Sequence, residues 1–329
     1  MNIRRHLSIH VLTLIAGLST TSVALAQGAE SWPNKPIRLI VPGLPGAAAD
    51  TLARAIAERL TPVLKQQVLV DNRPGANGLI AAKAVLQAPA DGHTLLYATA
   101  SSTVMAAALK PDLGVDFTKD FVPVAATFFG GVILAVNPTV PAKNLKELVA
   151  LVKATPERYS YATWGVGSNG HLTMEWLKAQ TGMQLQHVPY KGVAPILTEL
   201  VSGVISIGWV DLVGALPYIQ NGRIRAIAAN GSVRSSQLPE LATMNEQGYP
   251  FPGTGWQGLM AAKGIAQTIV DRLNTETNKI LLTAEMKELT VKLNVEPPQA
   301  RSTEQFRALI VRDLEVWRKI VTDAGIKAD

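Results

Sequence analysis

The chain has 329 residues, 47% hydrophobic and 17% charged, with a formal net charge of +6 and no cysteine. That composition fills packed cores and is far from disorder, while the missing cysteines exclude disulfides, thiolate metal sites and a lipid-modified N-terminal cysteine. The basic residues are scattered, so no basic stripe marks a nucleic-acid surface.

Residues 1–26 read MNIRRHLSIHVLTLIAGLSTTSVALA. Arg4 and Arg5 precede an apolar stretch at 11–18, too short for the roughly 20 residues of a membrane span. Ala24-Leu25-Ala26 fits the small-x-small cleavage rule. These features predict a secretory signal cleaved after Ala26 and an exported, periplasmic protein. Arg4 and Arg5 leave with it and no acid does, which takes +6 to +4. A mild positive field favours anionic ligands.

After a Pro-bounded lead, IRLIVP at 37–42 predicts a strand. AAADTLARAIAERLTPVL at 47–64 carries helical apolar spacing at Leu52, Ala53, Ile56, Leu60 and Leu64. QQVLV predicts a strand, DNRPGANG a turn, LIAAKAVLQA a helix and HTLLYAT a strand. This is βαβαβ, the pattern of a parallel sheet covered by helices. The pattern restarts with VILAVN, a helix at 144–155 capped by Asn144, YSYAT, GHLTMEWLKAQ, LQHVPY, APILTELVSG, VISIGWV and RIRAIAA. One more strand, TGWQGLMAA at 254–262, precedes three helices that pack back on the first unit. The expectation is two α/β lobes, 27–129 with 254–329 and 130–253, joined by crossing segments that form a hinge with a cleft.

Ligands of α/β sheets sit beyond the carboxyl ends of the strands, so four loops carry the functional reading. The first, VPGLPGAAAD, lacks the Lys-Ser/Thr of a nucleotide-binding P-loop. What remains is a helix N-terminus suited to any anion. Asp50 is either a ligand contact or an ordinary first-turn acid. The second, TWGVGSNGH, fits G-x-G-x-x-G at Gly165, Gly167 and Gly170. The acid that would confirm a dinucleotide site is missing from the end of the next strand, HVPYKG. It reads as a second anion cradle, with His171 as a capping or structural histidine. In the third, Tyr190 lines the cleft, whereas Lys191 is a surface residue. In the fourth, Asp211 follows Trp209 as a ligand acceptor, a hinge brace or a plain structural acid. No histidine pair has metal spacing and no Ser-His-Asp set assembles. No enzyme, metal or cofactor is predicted.

The runs WPNKPIRLIVPGLPGAAADTLARAIAERL, DNRPGANG, DFTKDFVPVA, YATWGVGSNGHLTMEWL, HVPYKGVAPILTELVSG and LPELATMNEQGYPF resemble the Bug-type periplasmic receptors of tripartite tricarboxylate transporters, in order along the mature chain. The resemblance implies a type II periplasmic-binding-protein fold closing on a small carboxylate. In that family the carboxylate is held mainly by backbone amides, hydroxyls and waters of two loops, here 42–50 and 163–171. The implied ligand residues are Leu44, Gly46, Ala47, Ala48 and Asp50; Thr99 and Ser101; Trp164, Gly165, Gly167, Ser168, Asn169 and His171; and Tyr190, Gly192, Val193 and Asp211. It also implies a monomer that hands its ligand to membrane subunits, with no nucleic-acid partner.

The chain departs from the family pattern. Gly46 is followed by Ala47 instead of a second glycine, and Gly43 replaces an aromatic. Val210 stands where an acid is common, and Trp164 where a small residue is common. Trp164, together with Trp209, is therefore expected to wall the pocket and favour a flat or longer apolar acid. A sensing receptor and a secreted α/β enzyme are the competing readings.

Overall fold

The computed structural model describes residues 32–327 apart from 254 and 294. The predicted signal at 1–26 lies outside the described residues. Among those described, no helix is long and apolar enough to cross a membrane.

The chain begins with β1 (Ile37–Val41), α1 (Ala48–Leu64), β2 (Val68–Asn72), α2 (Leu79–Leu86), β3 (Thr94–Thr99), α3 (Ala106–Leu109) and β4 (Phe121–Phe129). β1 runs parallel to both β2 and β3. The helix spacing read at α1 is a real face: Leu52, Ala53, Ile56, Leu60 and Leu64 are all buried. Asp71 and Asn72, expected in a turn, complete β2. β4 has no counterpart in the sequence reading. It is almost wholly buried, so it shows no alternation, and Pro123 argues against a central strand. The proline is tolerated because β4 is the edge of its sheet.

Then come β5 (Ile133–Val136), α4 (Leu145–Ala154), β6 (Ser160–Thr163), α5 (Asn169–Thr181), β7 (Gln186–Pro189), α6 (Val193–Ser202), β8 (Ile207–Val210), α7 (Leu212–Gln220) and β9 (Arg225–Ala229). Asn144 caps α4, accepting from Glu147 N, as predicted. β10 (Trp256–Ala262), α8 (Gln267–Leu281), α9 (Ala284–Lys292) and α10 (Thr303–Asp323) close the chain.

The two sheets have the orders β2-β1-β3-β10-β4 and β7-β6-β8-β5-β9. β10 lies antiparallel between β3 and β4; β5 lies antiparallel between β8 and β9. Each sheet thus takes its antiparallel strand from a segment that has just crossed over from the other lobe. α8 and α10 pack on β4, and α10 buries Phe306, Ile310 and Trp317.

The crossing segments touch through bare backbone. Gly130 N donates to Gly255 O at 3.2 Å and Asn230 N to Val132 O at 3.1 Å. A Cβ on Gly131 would lie 2.1 Å from Gly231 N, and one on Gly255 2.2 Å from Gly130 O. No side chain fits there. The Asn230 side chain joins the crossing to α5: its Nδ2 donates to Asn169 Oδ1 (2.6 Å) and Thr173 Oγ1 (2.8 Å), while its Oδ1 accepts from Val132 N (2.7 Å).

Candidate functional site

The β1–α1 loop ends in Gly46 at φ 79° and in Ala47, which caps α1 with extended backbone and no side-chain bond. First-turn N–H groups have no intrahelical partner, and they carry the positive end of the helix dipole. Ala47 and Ala48 leave that end sterically open, and Leu44 is exposed. Asp50 reaches back from the first turn to the loop. Its carboxylate accepts from Gly46 N (2.8 Å), Asn72 Nδ2 (3.0 Å) and Arg54 Nε (3.0 Å). Asn72 Nδ2 also donates to Gly43 O at 2.9 Å. Burial pushes this carboxyl up, but the hydrogen bonds from Arg54, Gly46 and Asn72 outweigh it and hold it below its ordinary value. Asp50 therefore ties the loop to the end of β2.

At the end of β3, Thr99 Oγ1 donates to Ser102 Oγ at 3.0 Å and accepts from Ser102 N at 3.0 Å. Ser101 Oγ approaches Met105 Sδ at 3.6 Å. The turn before α2 packs on this corner. A Cβ on Gly78 would meet Ser102 Cβ at 2.4 Å and Pro42 Cβ at 3.3 Å, which brings three strand ends of the first lobe together.

In the second lobe, Ser168 caps α5, its Oγ accepting from His171 N at 3.3 Å. His171 Nδ1 accepts from Gly167 N at 3.1 Å, so this histidine is part of the loop's frame, as read from the sequence. His187, absent from the sequence reading, stands behind it. Its ring stacks on His171 (4.3 Å between centroids) and on Tyr161 (4.9 Å). Its Nε2 lies 2.7 Å from Thr163 Oγ1, which in turn donates to Gly165 O at 3.1 Å. Burial, with His171 and Lys178 nearby, pushes His187 down to about 3. The imidazole is neutral at ordinary pH.

The three glycines of G-x-G-x-x-G have separate reasons. Gly165 sits at φ 132°, a conformation side chains avoid. Gly167 is where the first lobe touches, since a Cβ there would lie 2.8 Å from Leu109 Cδ2 and 3.1 Å from Asn77 Nδ2. Gly170 lies against Trp209, with 2.4 Å between its notional Cβ and Trp209 Cβ. None of the three reasons involves a pyrophosphate.

Several expected ligand residues have other employment. Trp209 is fully buried and fills the core beneath Gly170, so it does not wall a pocket. Trp164 is half-buried, with its ring edge 3.4 Å from the same point on Gly170. Asp211 caps α7 by accepting from Gly214 N at 2.8 Å, and burial pushes its carboxyl up. The Tyr190 hydroxyl donates to the Glu199 carboxylate; burial and Glu199 push it up to about 12. Asn169 Oδ1 accepts from Asn230 and Thr173. Gly192, at φ 110°, opens α6 without a side-chain cap, and half-buried Val193 is its first residue. The glycine loop at 163–171 is joined to the turn before α2 by Asn77, whose Nδ2 donates to Val166 O at 2.9 Å across 89 residues of sequence. Among the described residues no cluster of His, Asp or Glu has the makings of a metal site.

The profile of the tripartite tricarboxylate transporter family receptor, TctC, matches residues 52–326. Protein BugT of Bordetella pertussis is 33% identical over 312 residues, 94% of this chain and 95% of that protein. The chain belongs to the TctC family. Among solved structures, Rpa4515 of R. palustris with adipate superposes with a TM-score of 0.83 at 30% identity, covering 90% of this chain and 99% of that one. MatC (Rpa3494) of Rhodopseudomonas palustris with bound malate gives 0.80 at 29%, covering 88% and 99%. The two-lobed α/β architecture is the periplasmic-binding-protein fold, and this TctC receptor is a binding protein, not an enzyme.

Proposed function

We propose that this receptor captures a small carboxylate between its lobes in the periplasm and delivers it, as a monomer, to the membrane subunits of a tripartite tricarboxylate-type transporter. The lobes of this reading are 27–129 with 254–329 and 130–253. The observation that carries it is a pair of helix N-termini, of α1 and α5, that follow loops with no Lys or Arg at 42–50 or 163–171. Such ends offer N–H groups and a partial positive charge to an anion. That suits one carboxylate without a full countercharge. The related structures with adipate and with bound malate carry dicarboxylates, which supports the class.

A thermal-shift screen of protein beginning at Gln27, unfolded and refolded to strip carried ligand, tests it. A ligand at 100 times its dissociation constant stabilises by about 2.7 kcal/mol, a shift of roughly 4–5 °C for a chain of this size. Stabilisation by aliphatic or aromatic carboxylates without turnover is the expected result. Silence across all carboxylates would sink the reading.

A further inference from the structure

We propose that Asn77 is a clasp that holds the two lobes together, so that the turn at 75–78 sets how long a ligand stays in the cleft. The proposal rests on the closing-cleft reading above. It begins from backbone geometry. Gly75, Ala76, Asn77 and Gly78 all have positive φ, at 115°, 46°, 50° and 87°. Glycine adopts such angles freely and asparagine tolerates them, but alanine does not. A run like this persists only where its surroundings fix it. Here Gly78 is fixed by the close approach of Ser102 and Pro42, and its N–H donates to Gly75 O at 3.0 Å.

The turn aims the Asn77 amide at the other lobe. Nδ2 donates to Val166 O at 2.9 Å, inside the glycine loop that precedes α5. Leu109 comes alongside and contacts the bare Cα face of Gly167. The absence of a side chain at Gly167 is what lets the first lobe come this close. Asn77 itself is exposed, so the bond sits at the rim of the cleft and can break without unpacking either core. A rim contact made only in the closed form shifts population toward closure and slows ligand escape, because it favours one of the two states.

The chain has no cysteine, so two introduced ones are unique labelling sites. Glu58→Cys on α1 and Gln220→Cys on α7, both exposed, carry spin labels for an interlobe distance distribution, with and without adipate as probe. Asn77→Gly keeps the backbone angles and removes the donor. Asn77→Asp puts a carboxylate against the Val166 carbonyl. The expected result is a smaller closed fraction for Gly and a smaller one still for Asp. Adipate should dissociate about 3- to 10-fold faster from the Gly variant, the size of one neutral hydrogen bond. Identical distance distributions for all three proteins overturn the clasp. The ligand-free distributions decide this even if adipate binds none of them, an outcome that counts against the ligand class and not the clasp.

Discussion

The rings of His171 and His187 stack 4.3 Å apart at the foot of the glycine loop, one bonded to Gly167 N and the other to Thr163. The pair links α5, β6 and β7 behind the loop proposed to hold the ligand. His187 is held down to about 3 by burial, His171 and Lys178, whereas an unfolded histidine titrates near 6.5. Between those values the unfolded chain binds more protons than the folded one. Stability is therefore fully present above pH 6.5 and is lost progressively as pH falls toward 3. His187→Gln keeps a partner for Thr163 and removes the titration. Denaturant melts from pH 7 to 4 should show a shallower loss for the variant, by less than one proton.

Asp50 should matter through the loop it holds. Asp50→Ala strips partners from Gly46 N, Asn72 and Arg54, at a cost of about 1–3 kcal/mol. With the carboxyl held below its ordinary 3.8, this contribution is present above that pH and lost below it. Urea midpoints at pH 7 and pH 3 check both points, since the difference between wild type and variant should shrink at the lower pH.

Asp211 is a helix cap by its geometry. Asp211→Asn retains a good cap and should be nearly neutral, while Asp211→Ala should cost about 0.5–2 kcal/mol. Calorimetric titration with any carboxylate that binds should give affinities within about twofold for wild type and Asn variant.

At Gly170 an added methyl meets the base of Trp209. Overpacking of this kind costs roughly 1–3 kcal/mol, against roughly 0.5–1 kcal/mol gained by replacing glycine in a helix. A net loss of about 1–2 kcal/mol for Gly170→Ala is expected from urea melts.

Trp164 remains the candidate for ligand shape. Trp164→Ala should weaken an aromatic acid by a further 3- to 10-fold or so relative to adipate, the size of an aromatic contact beyond area burial. Equal loss for both in competition titrations would remove Trp164 from the pocket.

The parts of this fold that were legible in the sequence are those written in local chemistry. The β1–α1 corner announces itself by Pro42, Gly46 and the spacing from Leu52 to Leu64, and Asn144 by its place before α4. β8 was legible as a strand, but all four of its residues are buried, so no alternation reveals where Trp209 points. The partners of Asn77 and His187 are invisible for a different reason. Each meets its counterpart only after the chain has folded, across 89 residues for Asn77 and Val166 and 24 for His187 and Thr163. The glycine pattern at 165–170 shows the reverse hazard. Three independent steric demands there imitate a nucleotide motif.

The position of β10 orders the assembly of the molecule in time. Every strand of the second sheet lies between Ile133 and Ala229, so that sheet is complete while the C-terminal segment is still being delivered. The first sheet cannot be, because β4 joins it only through β10. Until Trp256–Ala262 arrives, Phe121–Phe129 has no neighbour to pair with, and α8 and α10 are not there to cover it. The earliest-made lobe is thus the last to finish, and a chain cut short before Trp256 strands a nine-residue, mostly apolar segment with nowhere to go.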